Sequence, residues 1–197
     1  MSQLFWVLLD TLFPPSEEEL VLRHWQEGKD YLDYNPTIIN FVTALMSYKN
    51  PQVKAVIKTA KFNHNNKAFL LLAEILEKHM AATGLHNYVL VPIPLAPKRW
   101  RKRGYNQVEK VLSQTNLPYR TDLLKRVRNT KPQTSLDRGD RLKNMHNAFK
   151  CKVRKLPSDM QIVLLDDVYT TGATMEAARA TLAPLSPLPI ICIALAH

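Results

Sequence analysis

One segment constrains the fold of this chain more than any other: QIVLLDDVYTTGATMEAARATL, residues 161–182. It begins with a short apolar, β-branched run, residues 162–165, which reads as a buried strand. The run ends in Asp166 and Asp167. A turn over residues 169–174 follows, and then a pattern that reads as a helix over 175–182. In open parallel sheets, ligands bind beyond the carboxyl ends of the strands, where these two carboxylates fall. Adjacent carboxylates repel each other, so they call for a polyhydroxyl ligand, a cation or both. The small residues of the turn, with Gly172 at its centre, let successive backbone N–H groups point at one anion, and the helix start adds its positive dipole end. Thr170, Thr171 and Thr174 add hydroxyl donors. An acidic pair beside an anion cradle describes a sugar phosphate, with hydroxyls on the carboxylates and phosphate in the loop. A bare Asp-Asp followed by Thr-Gly also suits a structural strand–turn–helix with acidic caps; the full arrangement is far more specific.

Charge points to the same class of ligand. The chain carries 27 Lys/Arg against 17 Asp/Glu, a formal net charge of +10. The excess is concentrated in residues 97–155, with 18 Lys/Arg against 4 Asp/Glu, leaving 9 against 13 elsewhere. Such a block suits polyanions: phosphorylated metabolites, nucleic acid or an acidic protein surface. Other classes are disfavoured. An apolar content of 46% is that of a folded protein. Two cysteines, Cys151 and Cys192, cannot build a disulfide framework or a four-cysteine zinc site. The six histidines form no metal-ligand spacing, so no zinc is expected. Nothing matches GxxxxGK[ST], and five glycines leave little room for a GxGxxG. No apolar run approaches the roughly 20 residues needed to span a bilayer. The N-terminal LFWVLL stretch lacks a basic flank and a small-residue cleavage site. A cytoplasmic protein with free thiols is the expectation.

Along the chain, residues 1–35 read as helical and irregular, with a Pro14-Pro15 stop and a Ser16 cap before Glu17, Glu18 and Glu19. Helices are expected over about 36–46 and 66–82, the second ending at Gly84. Residues 88–94 read as a buried strand followed by the basic loop PKRWRKRG. A helix over 106–113, a weakly patterned strand within 119–128, a polar loop over 129–138, a short helix over 137–145 and a strand near 148–153 follow. Residues 161–167 and 190–196 supply two more buried strands. This order argues for an α/β fold with a mostly parallel sheet flanked by helices, residues 86–197, behind a small N-terminal helical region, residues 1–85.

The segment 162–182 resembles the phosphoribosyl-pyrophosphate (PRPP) binding motif of type I phosphoribosyltransferases. Two further stretches resemble one branch of that superfamily, the ComF/GntX-like proteins: VPIPLAPKRWRKRGYNQVE, residues 91–109, and KRVRNTKPQTSLDRGDRLKNMHNAF, residues 125–149. Arg103, Gly104, Tyr105, Asn106 and Gln107 fit the first pattern, and Arg126, Thr130, Gln133, Leu136, Arg141 and Asn144 fit the second. With the segment LMSYKNPQVKAVIKTAKF, read as helical, the resemblance covers about residues 40–197. It implies a type I phosphoribosyltransferase-like fold with a variable hood, formed here by residues 1–85 or by the basic loops. It implies that Asp166 and Asp167 hold the ribose 2′- and 3′-hydroxyls, and that residues 170–174 (Thr170, Thr171, Gly172, Ala173, Thr174), next to Tyr169, hold the 5′-phosphate. Pro94, Leu95, Arg103 and Gly104 would form the pyrophosphate loop, with Arg99, Arg101 and Lys102 also available. Arg126, Arg128, Lys131 and Gln133 would touch the leaving pyrophosphate from a lid. Mg²⁺ is the implied cofactor, on Asp166 and Asp167, with Arg126 joining them in catalysis.

ComF proteins commonly carry a zinc-binding cysteine module after an L-F-P segment. Here Leu12-Phe13-Pro14-Pro15 leads into Ser16 and Glu17, and the first cysteine is Cys151, which puts docking to a helicase through that module in doubt. Two functions follow from the resemblance: a PRPP-binding phosphoribosyltransferase-like protein, or a non-catalytic adaptor in DNA uptake for natural competence that binds single-stranded DNA or a helicase. No segment identifies an acceptor.

Overall fold

A computed structural model describes residues 32–127, 148–151, 156–157 and 159–197. In chain order the elements are β1 (Tyr34–Ile39), β2 (Val42–Met46), α1 (Pro51–Phe62), α2 (Asn66–Thr83), β3 (Tyr88–Pro92), α3 (Pro97–Arg103), α4 (Gln107–Leu112), β4 (Leu124–Arg126), β5 (Phe149–Cys151), β6 (Gln161–Val168), α5 (Ala173–Leu182) and β7 (Ile191–Ala196). Five strands form one sheet in the order β1-β2-β7-β6-β3. β2, β7, β6 and β3 run parallel, and β1 adds an antiparallel edge on β2. β4 and β5 pair separately, with Arg126 opposite Phe149.

The run of β6 is continuously apolar because both faces of its sheet are covered. Val163 and Leu165 pack into one core with Ile57 of α1 and Phe69 and Leu72 of α2. Ile162 and Leu164 pack into the other with Leu123, Phe149 and Ala178. All four β6 residues are fully buried, each contributing roughly 1.5–3 kcal/mol by removal from water. The α/β architecture with a mostly parallel sheet flanked by helices is the one expected from the order of strand and helix signals.

The helix expected over 36–46 is instead the β1–β2 hairpin. Thr37, Ile38, Ile39, Val42 and Thr43 are β-branched, which favours strand, and Asn40 takes the left-handed turn at φ 56°. β2 then finds a partner in β7, with Ala44 opposite Ala194, so the sheet joins residues on both sides of position 85. Of the segment at 45–62 read as helical, only residues 51–62 are helix. Asn50 caps it by accepting from the Gln52 and Val53 N–H groups, and Pro51 sits at its first turn. The basic stretch 97–104, expected as a loop, is the short helix α3, which Pro97 starts and Gly104, at φ 78°, ends.

The helix expected over 66–82 is α2, capped by Asn65 and ended by Gly84 at φ 67°. Of the region read as helical and irregular over 1–35, residues 1–31 lie outside the described residues and the end of it enters β1 at Tyr34; the expected elements over 129–138 and 137–145 also lie outside them. Among the described residues, no helix is long and apolar enough to cross a membrane.

Candidate functional site

The two-residue period of a strand sends the adjacent carboxylates of β6 to opposite faces of the sheet. Asp167, in phase with Val163 and Leu165, turns toward α1 and α4. There its Oδ2 meets Lys61 Nζ at 3.1 Å and accepts from Gln107 Nε2. Asp166, in phase with Ile162 and Leu164, lies on the face toward β4, where the charge of Arg126 acts on it. Both line one cavity of about 800 Å³ at the carboxyl end of the sheet, where parallel sheets bind ligands.

The rest of the wall is strongly cationic. Lys61, Arg99, Lys102, Arg103 and Arg126 stand against two carboxylates. Burial first, and then the charge of Arg99, lower the pKa of Arg126 to about 10 against the opposing pull of Asp166. Arg126 is 7% exposed, with its guanidinium carbon 5.4 Å from the Phe149 ring centroid. Burial also lowers the pKa of Arg103, against the pull of Asp167. Burial first, and then the charge of Asp167, raises the Asp166 carboxyl well above the ordinary carboxylate range; its Oδ1 accepts from the Asp167 N–H at 2.9 Å. An unliganded cavity of this kind is short of negative charge on one side and strained by it on the other. A ligand that brings anionic groups to the arginines and hydroxyl donors or a cation to the carboxylates relieves both.

The turn into α5 completes the wall with Thr170 and Thr174. Gly172 is its hinge, at φ 79°, and a Cβ there would stand 2.6 Å from the Tyr169 hydroxyl. The helical ladder begins with the Glu176 N–H donating to the Gly172 carbonyl at 2.8 Å, so the amides of the first turn precede it, facing the end where an anion is favoured. The loop is set from below by Tyr169, which is 6% exposed. Its N–H donates to the Ala196 carbonyl at 2.9 Å, and its hydroxyl accepts from Asn40 Nδ2 at 3.0 Å.

Ten of the residues singled out from the sequence therefore share one cavity: Asp166, Asp167, Arg126, Thr170, Thr174, Pro94, Leu95, Arg103, Arg99 and Lys102. Tyr169, Ala173, Gly172 and Gly104 do not line it. Tyr169 and Ala173 are buried in the core under α5, and the two glycines shape backbone at the ends of α5 and α3. Thr171 sits between the two lining threonines without being part of the wall. Arg128, Lys131 and Gln133 lie outside the described residues. Sequence reasoning missed Lys61, Tyr48 and Phe62, and gave Gln107 no role. Lys61 carried a signal: Val53 and Ile57 are buried at helical spacing, and the next position in that stripe is a lysine at the helix end.

No family model matches the chain. Three curated proteins are similar to it. Competence protein ComFC of Streptococcus pneumoniae is 33% identical over 143 residues, 71% of this chain and 60% of that protein. Competence protein F of Haemophilus influenzae is 36% identical over 92 residues, 44% and 40% of the two chains. Competence protein ComFC of Bacillus subtilis is 38% identical over 97 residues, 49% and 39%. All three relatives are named as competence proteins, at 33–38% identity. The chain spans between 39% and 60% of the length of these relatives.

Proposed function

We propose that the cavity binds PRPP with Mg²⁺, and that the chain is a phosphoribosyltransferase-like protein that transfers or holds the 5-phosphoribosyl group with release of pyrophosphate. One observation carries the reading: two carboxylates, the threonine loop at a helix start and five cations line a single cavity of about 800 Å³. Asp166 and Asp167 take the ribose hydroxyls. Thr170, Thr174 and the first-turn amides of α5 take the 5′-phosphate. Arg103 and Arg126, with Pro94 and Leu95 shaping the loop, take the pyrophosphate. In a transfer, a nucleophile forms a bond to C1′ while the C1′–oxygen bond to pyrophosphate breaks. The bonding pair leaves with pyrophosphate, whose growing charge the arginines stabilise. The metal supplies further neutralisation of that charge. Among the described residues no group of three His, Cys, Asp or Glu side chains could hold a metal alone. Asp166 and Asp167 fit a cation that completes its shell with ligand oxygens.

The test is calorimetric titration of Mg²⁺–PRPP into wild type and Asp166→Asn. The variant keeps the size of the side chain and removes the carboxylate that most resists burial. At least tenfold weaker binding by a folded variant is expected, and unchanged affinity would refute the site. The competence names of the relatives suit a second reading equally: we propose as that alternative a non-catalytic adaptor that uses the basic block on single-stranded DNA or a helicase. That reading requires DNA affinity falling steeply with salt.

A further inference from the structure

The cavity has two chemically different ends, and one side chain spans them. Gln107, at the first position of α4, is 5% exposed. Its Oε1 accepts from Arg103 Nη1, and its Nε2 donates to Asp167 Oδ2. The chemistry of the partners fixes this orientation of the amide: a guanidinium only donates, and an ionised carboxylate only accepts. Arg103 is steadied on another side by the Phe62 ring, 5.3 Å from its guanidinium carbon. Asp167 is steadied by Lys61 at 3.1 Å and by the Val168 N–H, which donates to its Oδ1 at 2.6 Å. Neither charge can drift without breaking a bond to the same buried amide.

We propose that Gln107 is a positioning residue that holds Arg103 and Asp167 at a fixed separation, so that the anion end and the hydroxyl end of the cavity are in register before a ligand arrives. Arg103 is a long side chain with several rotatable bonds, and immobilising it beforehand removes part of the entropy cost of binding an anion. The amide also offsets the desolvation of Arg103, which an apolar neighbour would leave in place. The inference rests on the PRPP reading for the identity of the ligand, and on the geometry alone for the role of Gln107.

The probe is inorganic pyrophosphate, titrated calorimetrically into wild type, Arg103→Ala, Gln107→Leu and the double variant, with thermal melts in parallel. Arg103→Ala is expected to weaken pyrophosphate binding about tenfold or more. Gln107→Leu is expected to lose roughly five- to tenfold, and the double variant no more than Arg103→Ala alone, because Gln107 acts through Arg103. If the leucine variant does not fold, Gln107→Asn, a methylene shorter and unable to span both partners, is expected to show the same loss. Gln107→Glu adds a readout that a merely structural role would not move. Its carboxylate accepts from Arg103 but donates to Asp167 only when protonated, so its affinity relative to wild type rises as pH falls. Wild-type affinity in the Gln107 variants, losses that multiply in the double variant, or no pyrophosphate binding by folded wild type each overturn the inference. If pyrophosphate behaves as expected but PRPP binds no more tightly than pyrophosphate, the PRPP reading fails and the role of Gln107 stands.

Discussion

Gly172→Ala isolates the backbone on which the threonine loop depends. At φ 79° the residue occupies the left-handed region, where a Cβ costs about 1–2 kcal/mol. The new methyl would also stand 2.6 Å from the Tyr169 hydroxyl and 2.9 Å from its Cε2. Tyr169 cannot simply swing away, since its hydroxyl is bonded to Asn40 and its ring is buried. Forced overpacking of this kind adds about 1–3 kcal/mol. The expected loss is therefore about 2–5 kcal/mol, read by urea unfolding, with a melting temperature lower by roughly 4–20 °C. Tyr169→Phe provides the internal control. It removes the oxygen at 2.6 Å but leaves the ring carbon at 2.9 Å and the backbone angle. The double variant should recover part of the loss, with a coupling of about 1 kcal/mol. An alanine variant within about half a kcal/mol of wild type, or strictly additive losses, would refute the reasoning.

Other predictions follow from the same contacts. The Asp166 carboxyl is raised by burial and by Asp167, so the folded state holds its proton more tightly than the unfolded state. Its contribution is favourable at low pH and is lost as pH rises through the raised value. Asp166→Asn should therefore stabilise the unliganded protein by at least about 1 kcal/mol at pH 8 and by much less near pH 4. Melts at the two pH values that show equal effects would contradict this. Lys61→Met removes the ion pair to Asp167, whose side chains are 20% and 11% exposed. A loss of about 1–3 kcal/mol is expected in urea unfolding, below the figure for a fully buried pair, whereas Lys54→Met on the exposed side of the same helix should be near neutral. Leu164→Ala, at a fully buried position of β6, should cost about 2–5 kcal/mol. Ile38→Thr, at a position 76% exposed, should change stability by less than about 0.5 kcal/mol.

Much of the fold was legible where local and tertiary demands agree. The apolar run 162–165 reads as a strand buried on both faces, and both cores close on it. Asn65 and Gly84 mark the ends of α2 as cap chemistry requires. The reading failed at 36–46 because the apolar residues there fit a helix period loosely, while β-branching, the Asn40 turn and the open edge of β7 decide for strand. α3 was hidden because a run of five cations within PKRWRKRG looks like a solvated loop, and only Pro97 and Gly104 mark its ends. At the site, Asp166, Asp167, Thr170 and Thr174 were legible because their spacing is local. Lys61 was not, since it reaches Asp167 from a helix over a hundred positions earlier. Gln107 could be placed in a pattern but not given a task, because its task is to join Arg103, four residues away, to Asp167, sixty residues away.

The most direct measurement compares Mg²⁺–PRPP, ribose 5-phosphate and pyrophosphate by calorimetric titration at physiological salt, each with and without Mg²⁺. If the carboxylates, the threonine loop and the arginines act as one site, PRPP binds in the micromolar range with Mg²⁺, more tightly than either fragment, and more weakly when the metal is withdrawn. A folded protein that fails to bind PRPP, or binds it no better than pyrophosphate, contradicts the account and directs attention to single-stranded DNA and helicase partners.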